Sequence, residues 1–403
     1  MKQTAKPVFT RKWLSAAAKG FNRRNFAIAG AAALLAGCQV IPKTETVATA
    51  PAPTPTPQPS ATALPTDSTR HRVALLVPMS GRAAEVGQSL ANATTMALLD
   101  TNADNIRITT YDTSGGAAGA ARRAIADGNR LILGPLLADN VPGVQAAARP
   151  AGVPAIAFSN DATVASADVF VMGHIPEQSI RRSIEYARAN GSSNFGALLP
   201  EGAYGQRSYT ALQNSLADTG GSLVAFERYA RGNTSIVSAA QRLRTRGGYD
   251  TVLVADGARL AVQAAGELRA DGAENTRILG TELWSGESAL TRSSAIDGAM
   301  FSAVSDRRFR RFSESYEARF GSRPYRIATL GYDAVLLTLR VARDWEVGDR
   351  FPKRMLFDRG GFLGVDGPFR FGRDGVAERA LEVRAVRGGQ VVPVDPAPSS
   401  FGG

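Results

Sequence analysis

From residue 72 onward the chain alternates short apolar runs with amphipathic stretches, and this alternation limits the folds open to it more than any other feature. VALLVP (73–78) is apolar throughout, as a strand covered on both faces must be. AEVGQSLANATTMALLD (84–100) places its apolar residues at helical spacing. IRITTYD (106–112) then alternates as a strand, AAGAARRAIADG (117–128) reads as a helix, and LILGP (131–135) and VPAIAF (153–158) read as buried strands. The rhythm recurs in FGALLP (195–200), YGQRSYTALQNSLADTG, SLVAFERYA, SIVSAAQRLRTRG, DTVLVAD (250–256), RLAVQAAGELRADG and TRILGTE (276–282). Such an order predicts an α/β fold with parallel sheets covered by helices on both faces. Residues 72–395 are more than one core holds, so two lobes are expected. RRFRRFSESYEARFG and YRIATLGYDAVLLTLRVARDW add two helices, and the strand-rich end turns at Asp374-Gly375 and Gly388-Gly389. Ligands of open parallel sheets bind beyond the carboxyl ends of the strands, so the loops there are the candidate site.

Ahead of this region, Cys38 is the one cysteine in the chain. It has no disulfide partner. It follows seven basic residues, no acidic ones, and an apolar run from Phe26 to Gly37 that is too short for a bilayer, which takes about 20 residues. Leu35-Ala36-Gly37-Cys38 resembles the bacterial lipobox, which implies a signal peptide over 1–37 and a lipid on Cys38. An ordinary signal with an incidental cysteine is the alternative. Asn22-Arg23-Arg24-Asn25-Phe26 resembles a twin-arginine export motif without the usual lysine after the aromatic; the general secretory route is the other option. Residues 39–70 hold seven prolines among Thr, Ala and Ser, so 38–70 reads as a lipid-anchored tether. At polyproline extension it reaches roughly 100 Å.

The charge of +11 is mostly the leader's. Removing residues 1–37 leaves 40 basic against 36 acidic residues. With so little excess charge left, nucleic-acid binding is not expected. Only two histidines, His71 and His174, accompany the single cysteine, so no His/Cys metal cluster or Cys-His dyad is expected. The usual serine-hydrolase, zinc-protease and phosphate-loop motifs do not occur. No cofactor and no enzymatic activity are expected, and His174 reads as structural.

VALLVPMSGRAAEVGQSLANATTMAL, LILGPLLADNV, GVPAIAFSND, YGQRSY, DTVLVADG and ILGTE, in this order and spacing, resemble the type I periplasmic binding proteins of the leucine/isoleucine/valine-binding family. The resemblance implies two Rossmann-like lobes with parallel sheets, joined by a three-crossover hinge and closing on a small ligand. By position the crossings fall near His174–Pro176, Val304–Asp306 and Gly361–Val365. Lobe 1 is then 72–175 plus 305–362, lobe 2 is 176–304 plus 363–395, and 396–403 is a tail. The implied ligand cleft takes in Ser80, Asp139, Ser159, Asn160, Asp161, Tyr204, Asp256 and Glu282. Family loops that hold a ligand carboxylate offer hydroxyls, whereas 136–140 offers none and Asp139 would repel one. Ser159 keeps a hydroxyl; Asp161 meets an ammonium or caps a turn. Tyr204 matches a cleft aromatic or is a packed tyrosine. Glu282 matches the acceptor of a ligand ammonium, or makes local backbone bonds.

The closing segment GFLGVDGPFRFGRDGVAERALEVRAVRGGQVVPVDPAP, with the lipobox and the tether, resembles lipoproteins described as penicillin-binding protein activators. That likeness implies an outer-membrane lipoprotein at the periplasmic face whose partner is a peptidoglycan synthase (penicillin-binding protein). Gln39 after the cysteine is of the kind forwarded to the outer membrane. The alternative is the solute-binding component of an amino-acid-type ABC transporter.

Overall fold

The computed structural model describes residues 67–232 and 235–401. The leader, Cys38 and the tether as far as residue 66 lie outside the described residues. β1 (His71–Val77), α1 (Ala84–Asp100), β2 (Ile106–Asp112), α2 (Ala117–Ala126), β3 (Leu131–Leu133), α3 (Val141–Ala148), β4 (Ala155–Ala157) and β5 (Val169–Val171) follow one another as strand and crossover. Their sheet runs β2-β1-β3-β4-β5, with every pair parallel. The apolar runs are strands because both faces are covered: Val73, Leu75 and Val77 point into one core, Ala74 and Leu76 into the other.

α4 (Pro176–Ala189) opens the second lobe. β6 (Asn194–Pro200), α5 (Ala203–Thr219), β7 (Ser222–Tyr229), α6 (Ser235–Arg246), β8 (Thr251–Val254), α7 (Ala258–Leu268), β9 (Arg277–Leu279) and β10 (Met300–Val304) continue it. α8 (Phe309–Phe320) and α9 (Thr329–Ala342) return to lobe 1, where Leu330, Ala334 and Leu337 enter its core. β11 (Phe362–Gly364), β12 (Gly367–Phe371) and β13 (Ala377–Arg379) make a small antiparallel sheet. β14 (Leu381–Arg387) and β15 (Gln390–Asp395) complete the second large sheet, ordered β15-β14-β10-β9-β8-β6-β7. That sheet is mixed, since β14 runs antiparallel to β10 and to β15. No helix among the described residues is long and apolar enough to cross a membrane.

The third crossing corrects the sequence-based boundary. Residues 363–379 belong with lobe 1, and the chain leaves for lobe 2 between Arg379 and Leu381. The reason is aromatic burial. Phe362, Phe369 and Phe371 enter the lobe 1 core, Phe371 meets Phe170 edge-on at 5.6 Å, and Val171 donates its N–H to Gly375 O at 2.9 Å. The tail is tied down too: the Phe401 ring lies 4.6 Å from the Arg370 guanidinium.

α1 in lobe 1 and α5 in lobe 2 start in the same way. Gly87 and Gly205 lie in the first turns of α1 and α5. A Cβ on either would come within 1.7 Å of the carbonyl oxygen of Pro78 or Pro200, respectively. These prolines close the strands before the helices, so only glycine lets the helix approach this closely.

A buried ion cluster joins the crossings. His174, in the first, has Nε2 2.7 Å from Asp366 Oδ2. Asp366 is fully buried and accepts from Arg326 Nη1 at 2.7 Å and Thr329 Oγ1 at 2.9 Å. Arg326 continues to Asp306 in the second crossing at 3.2 Å. Asp306 also meets the buried Arg384, which holds Glu382 at 2.7 Å. Arg379, at the third crossing, stands 3.9 Å from Asp366. Burial alone would raise the Asp366 carboxyl, but Arg326 and His174 hold it well below the usual range.

Candidate functional site

The loops beyond the carboxyl ends of the strands face one another across the lobes. On the lobe 2 side, Trp284 is buried and gives Nε1–H to Asp256 O at 2.8 Å. Its ring fills the space where a Cβ on Gly280 would sit. This fixes the 3-10 turn Glu282–Trp284 at the end of β9. Tyr204, in the first turn of α5, has its hydroxyl 2.9 Å from Thr281 Oγ1 and donates to Glu282 Oε1 at 3.1 Å. Oε2 of Glu282 is buried with no hydrogen-bond partner. Burial therefore pushes the Glu282 carboxyl from its ordinary 4.5 up to about 7. Burial and the Glu282 carboxylate raise Tyr204 well above its ordinary value.

Arg207 stands one turn beyond Tyr204, on the same helix face. It pairs bidentately with Glu177, Nε to Oε1 at 2.7 Å and Nη2 to Oε2 at 2.8 Å. The same guanidinium reaches lobe 1, giving Nη2–H to Asn160 O at 2.6 Å and approaching Asp161 Oδ1 at 3.6 Å. Arg207 thus bridges the lobes. Asp161 also caps the turn Ala162–Val164, accepting from Thr163 N at 2.9 Å. Ser159 is buried and spends its Oγ on Asp161 N at 3.0 Å.

A small cavity lies between this group and the hinge, lined among others by His174, Ser179, Glu282 and Arg379. Its volume is about 10 Å³, at the limit for one water. Arg379 is buried, and its Nε and Nη1 have no hydrogen-bond partner. A carboxylate and a guanidinium, each with unspent hydrogen-bonding capacity, therefore line the same cavity.

The structure gathers Ser159, Asn160, Asp161, Tyr204 and Glu282 with Arg207, Glu177 and Arg379, which sequence reasoning missed. The Tyr204-to-Arg207 spacing in YGQR was the available signal for one of them. Three expected residues stand apart. Ser80 donates to Asp112 Oδ2 at 3.3 Å, and Asp112 is lowered to about 2 by backbone N–H bonds from Met79 and Ser114. Asp139 is exposed on the turn after β3 and makes no bond to the group. Asp256 is consumed within lobe 2 by Tyr229 Oη at 2.7 Å and Arg231 Nε at 2.8 Å. It reaches the group through its backbone oxygen, which holds Trp284, and through Arg231, whose guanidinium lies 5.1 Å from the centre of the Tyr204 ring. Among the described residues no His/Cys/Asp/Glu group is arranged to hold a metal ion.

An uncharacterised protein of Rickettsia prowazekii is 30% identical over 173 residues, 42% of this chain and 46% of that protein, so the chain spans about half the length of the curated relative it matches. A putative branched-chain amino acid ABC transporter protein of Rhodospirillum rubrum superposes with a TM-score of 0.71 at 20% identity, over 81% of this chain and all of that one. A branched-chain amino acid substrate-binding protein of Streptococcus pneumoniae, solved with isoleucine, gives 0.63 at 18% identity, over 82% of this chain and 100% of that one. A family model described as periplasmic binding protein matches residues 71–390, and the chain belongs to that family, with the type I fold.

Proposed function

We propose that this periplasmic chain is a non-enzymatic solute-binding protein that takes a small amino-acid-like ligand between its lobes for an ABC-type transporter. One observation carries the reading: Glu282 Oε2 and Arg379 Nε and Nη1 are buried without a hydrogen-bond partner, and both residues line one cavity. Unspent hydrogen-bonding capacity of this kind costs stability, typically about 1–3 kcal/mol per group and more when charged. A ligand ammonium on Glu282 and a ligand carboxylate on Arg379 satisfy both. The carboxylate is then received at the hinge instead of in lobe 1, where Asp139 and Asp161 would oppose it. At about 10 Å³ the cavity admits such a ligand only as the lobes part, a hinge motion.

A second reading has its own support. Arg207 bridges Glu177 to Asn160 by direct hydrogen bonds. A chain latched in this way suits an interaction protein, and with lipid on Cys38 it suits an outer-membrane activator of a penicillin-binding protein.

A thermal-shift screen of the purified chain with amino acids, the matching decarboxylated amines and the matching deaminated acids separates the readings. Saturable stabilisation by amino acids alone supports the zwitterion site. Stabilisation by amines as well removes Arg379 from it. A flat response to all three classes refutes the solute reading and leaves the activator.

A further inference from the structure

Arg307, Arg308, Arg310 and Arg311 crowd the second crossing and the first turn of α8. Arg307, Arg310 and Arg311 are exposed and enter no ion pair among the described residues; Arg308 gives Nη1–H to Gly364 O at 3.1 Å. Of the nearby carboxylates, Asp306 is taken by Arg326 and Arg384, and Glu382 by Arg384, while Glu314 lies one turn along α8 from Arg310. The first turn of α8 has no acidic residue, so these cations oppose the helix dipole as well as one another. Helix stability does not account for them.

Beside them runs a groove of about 490 Å³, separate from the interlobe cavity. Its walls come from the second and third crossings, β11, β12, β14, β15 and residues 396–399. Leu363, 57% exposed, stands in it with Val365, Pro368, Val391 and Pro393. The groove is therefore apolar along much of its wall and basic along one lip, and the carboxylates in its lining, Asp306, Asp366 and Glu382, are each engaged by Arg326 or Arg384.

We infer that this groove docks an extended acidic peptide segment of a partner protein, with apolar side chains against the walls and carboxylates on Arg307 and Arg310, which line it, while Arg311, the next residue, adds positive charge beside it. Guanidinium groups pair bidentately with carboxylates. A concave channel with an apolar wall admits a linear chain, whereas a planar membrane surface reaches only the lip. Proline and leucine walls offer little to sugar hydroxyls.

Fluorescence anisotropy of the full-length chain in detergent, with a fluorescein-labelled peptide of alternating glutamate and leucine, tests this. The expected result is saturable binding that weakens with salt. Affinity should fall about tenfold or more in Arg307→Glu/Arg310→Glu/Arg311→Glu, and several-fold in Leu363→Ser. Unchanged affinity in the triple variant, equal binding of a glutamine-for-glutamate peptide, or absence of saturable binding overturns the proposal. So does binding of phosphatidylglycerol vesicles by a chain that refuses the peptide, an outcome that assigns the arginines to a membrane. If the triple variant melts below the wild type, Arg310→Glu and the glutamine peptide make the same test on folded protein.

Discussion

Replacing Glu282 by Gln should make the protein more stable at neutral pH and unable to hold a ligand amine. Burial places the Glu282 carboxyl at about 7 in the folded chain against 4.5 ordinarily. Between those values the folded protein keeps a proton that the unfolded chain has released. Stability from this group is therefore greatest at low pH and is lost as pH rises towards 7. At 1.36 kcal/mol per pH unit the loss amounts to about 3 kcal/mol. Glutamine carries no charge to desolvate but still places a polar group at the buried Oε2 position, so a net gain of about 1–3 kcal/mol above pH 7 is expected. Urea denaturation of both proteins across pH 5 to 8 measures it. Asp333, pushed up to about 7 by burial and by the Asp366 carboxylate, titrates in the same range, and burial pushes His174 down. The readout is accordingly the difference between the two curves. Glu177 and Arg207 act on Glu282 in opposite directions and are present in both proteins. Curves that run parallel from pH 5 to 8 would show that Glu282 is not desolvated, and the proposed amine site would lose its basis.

Arg207→Ala should release the lobes. Small-angle scattering should show a larger radius of gyration, and stability should drop by about 1–3 kcal/mol as Glu177 loses its partner; an unchanged scattering curve refutes the bridge. Gly205→Ala should cost about 1–3 kcal/mol by overpacking against Pro200 O, against the gain of about 0.5–1 kcal/mol that alanine brings to an open helix. A melting temperature at or above wild type would contradict this. Cys38→Ser should take up no labelled palmitate and leave the membrane fraction; a variant that fractionates as the wild type does, with neither form labelled, rules out the lipid anchor.

The strand and helix order was legible because parallel strands covered on both faces read as unbroken apolar runs, as in VALLVP and LILGP, while their crossover helices keep an apolar stripe. The third crossing was not. β11 to β13 are three to five residues long, and lobe membership is decided by where Phe362, Phe369 and Phe371 find aromatic partners, which no local pattern records. The site divides similarly. Tyr204 and Glu282 stood out through the family resemblance. Arg207 did not, because its partners Glu177 and Asn160 lie 30 and 47 positions away. Asp256 looked like a cleft carboxylate because it ends a strand, but Tyr229 and Arg231 of the neighbouring segment had a prior claim on it.

The ion cluster at the crossings bears on how such a joint can turn. A gap of about 1 Å forfeits up to half of a dispersion contact, so a hinge packed with aliphatic side chains would click between fixed seats. Attraction between charges fades only in inverse proportion to their separation. Asp366, held by the charges of Arg326 and Arg379 and by the His174 hydrogen bond, can therefore act as a universal joint, with each strand of the hinge pivoting about one fixed negative centre while the energy varies smoothly with angle. The lobes would then stop where Arg207 and its partners arrest them, and the crossings would impose no preferred opening of their own.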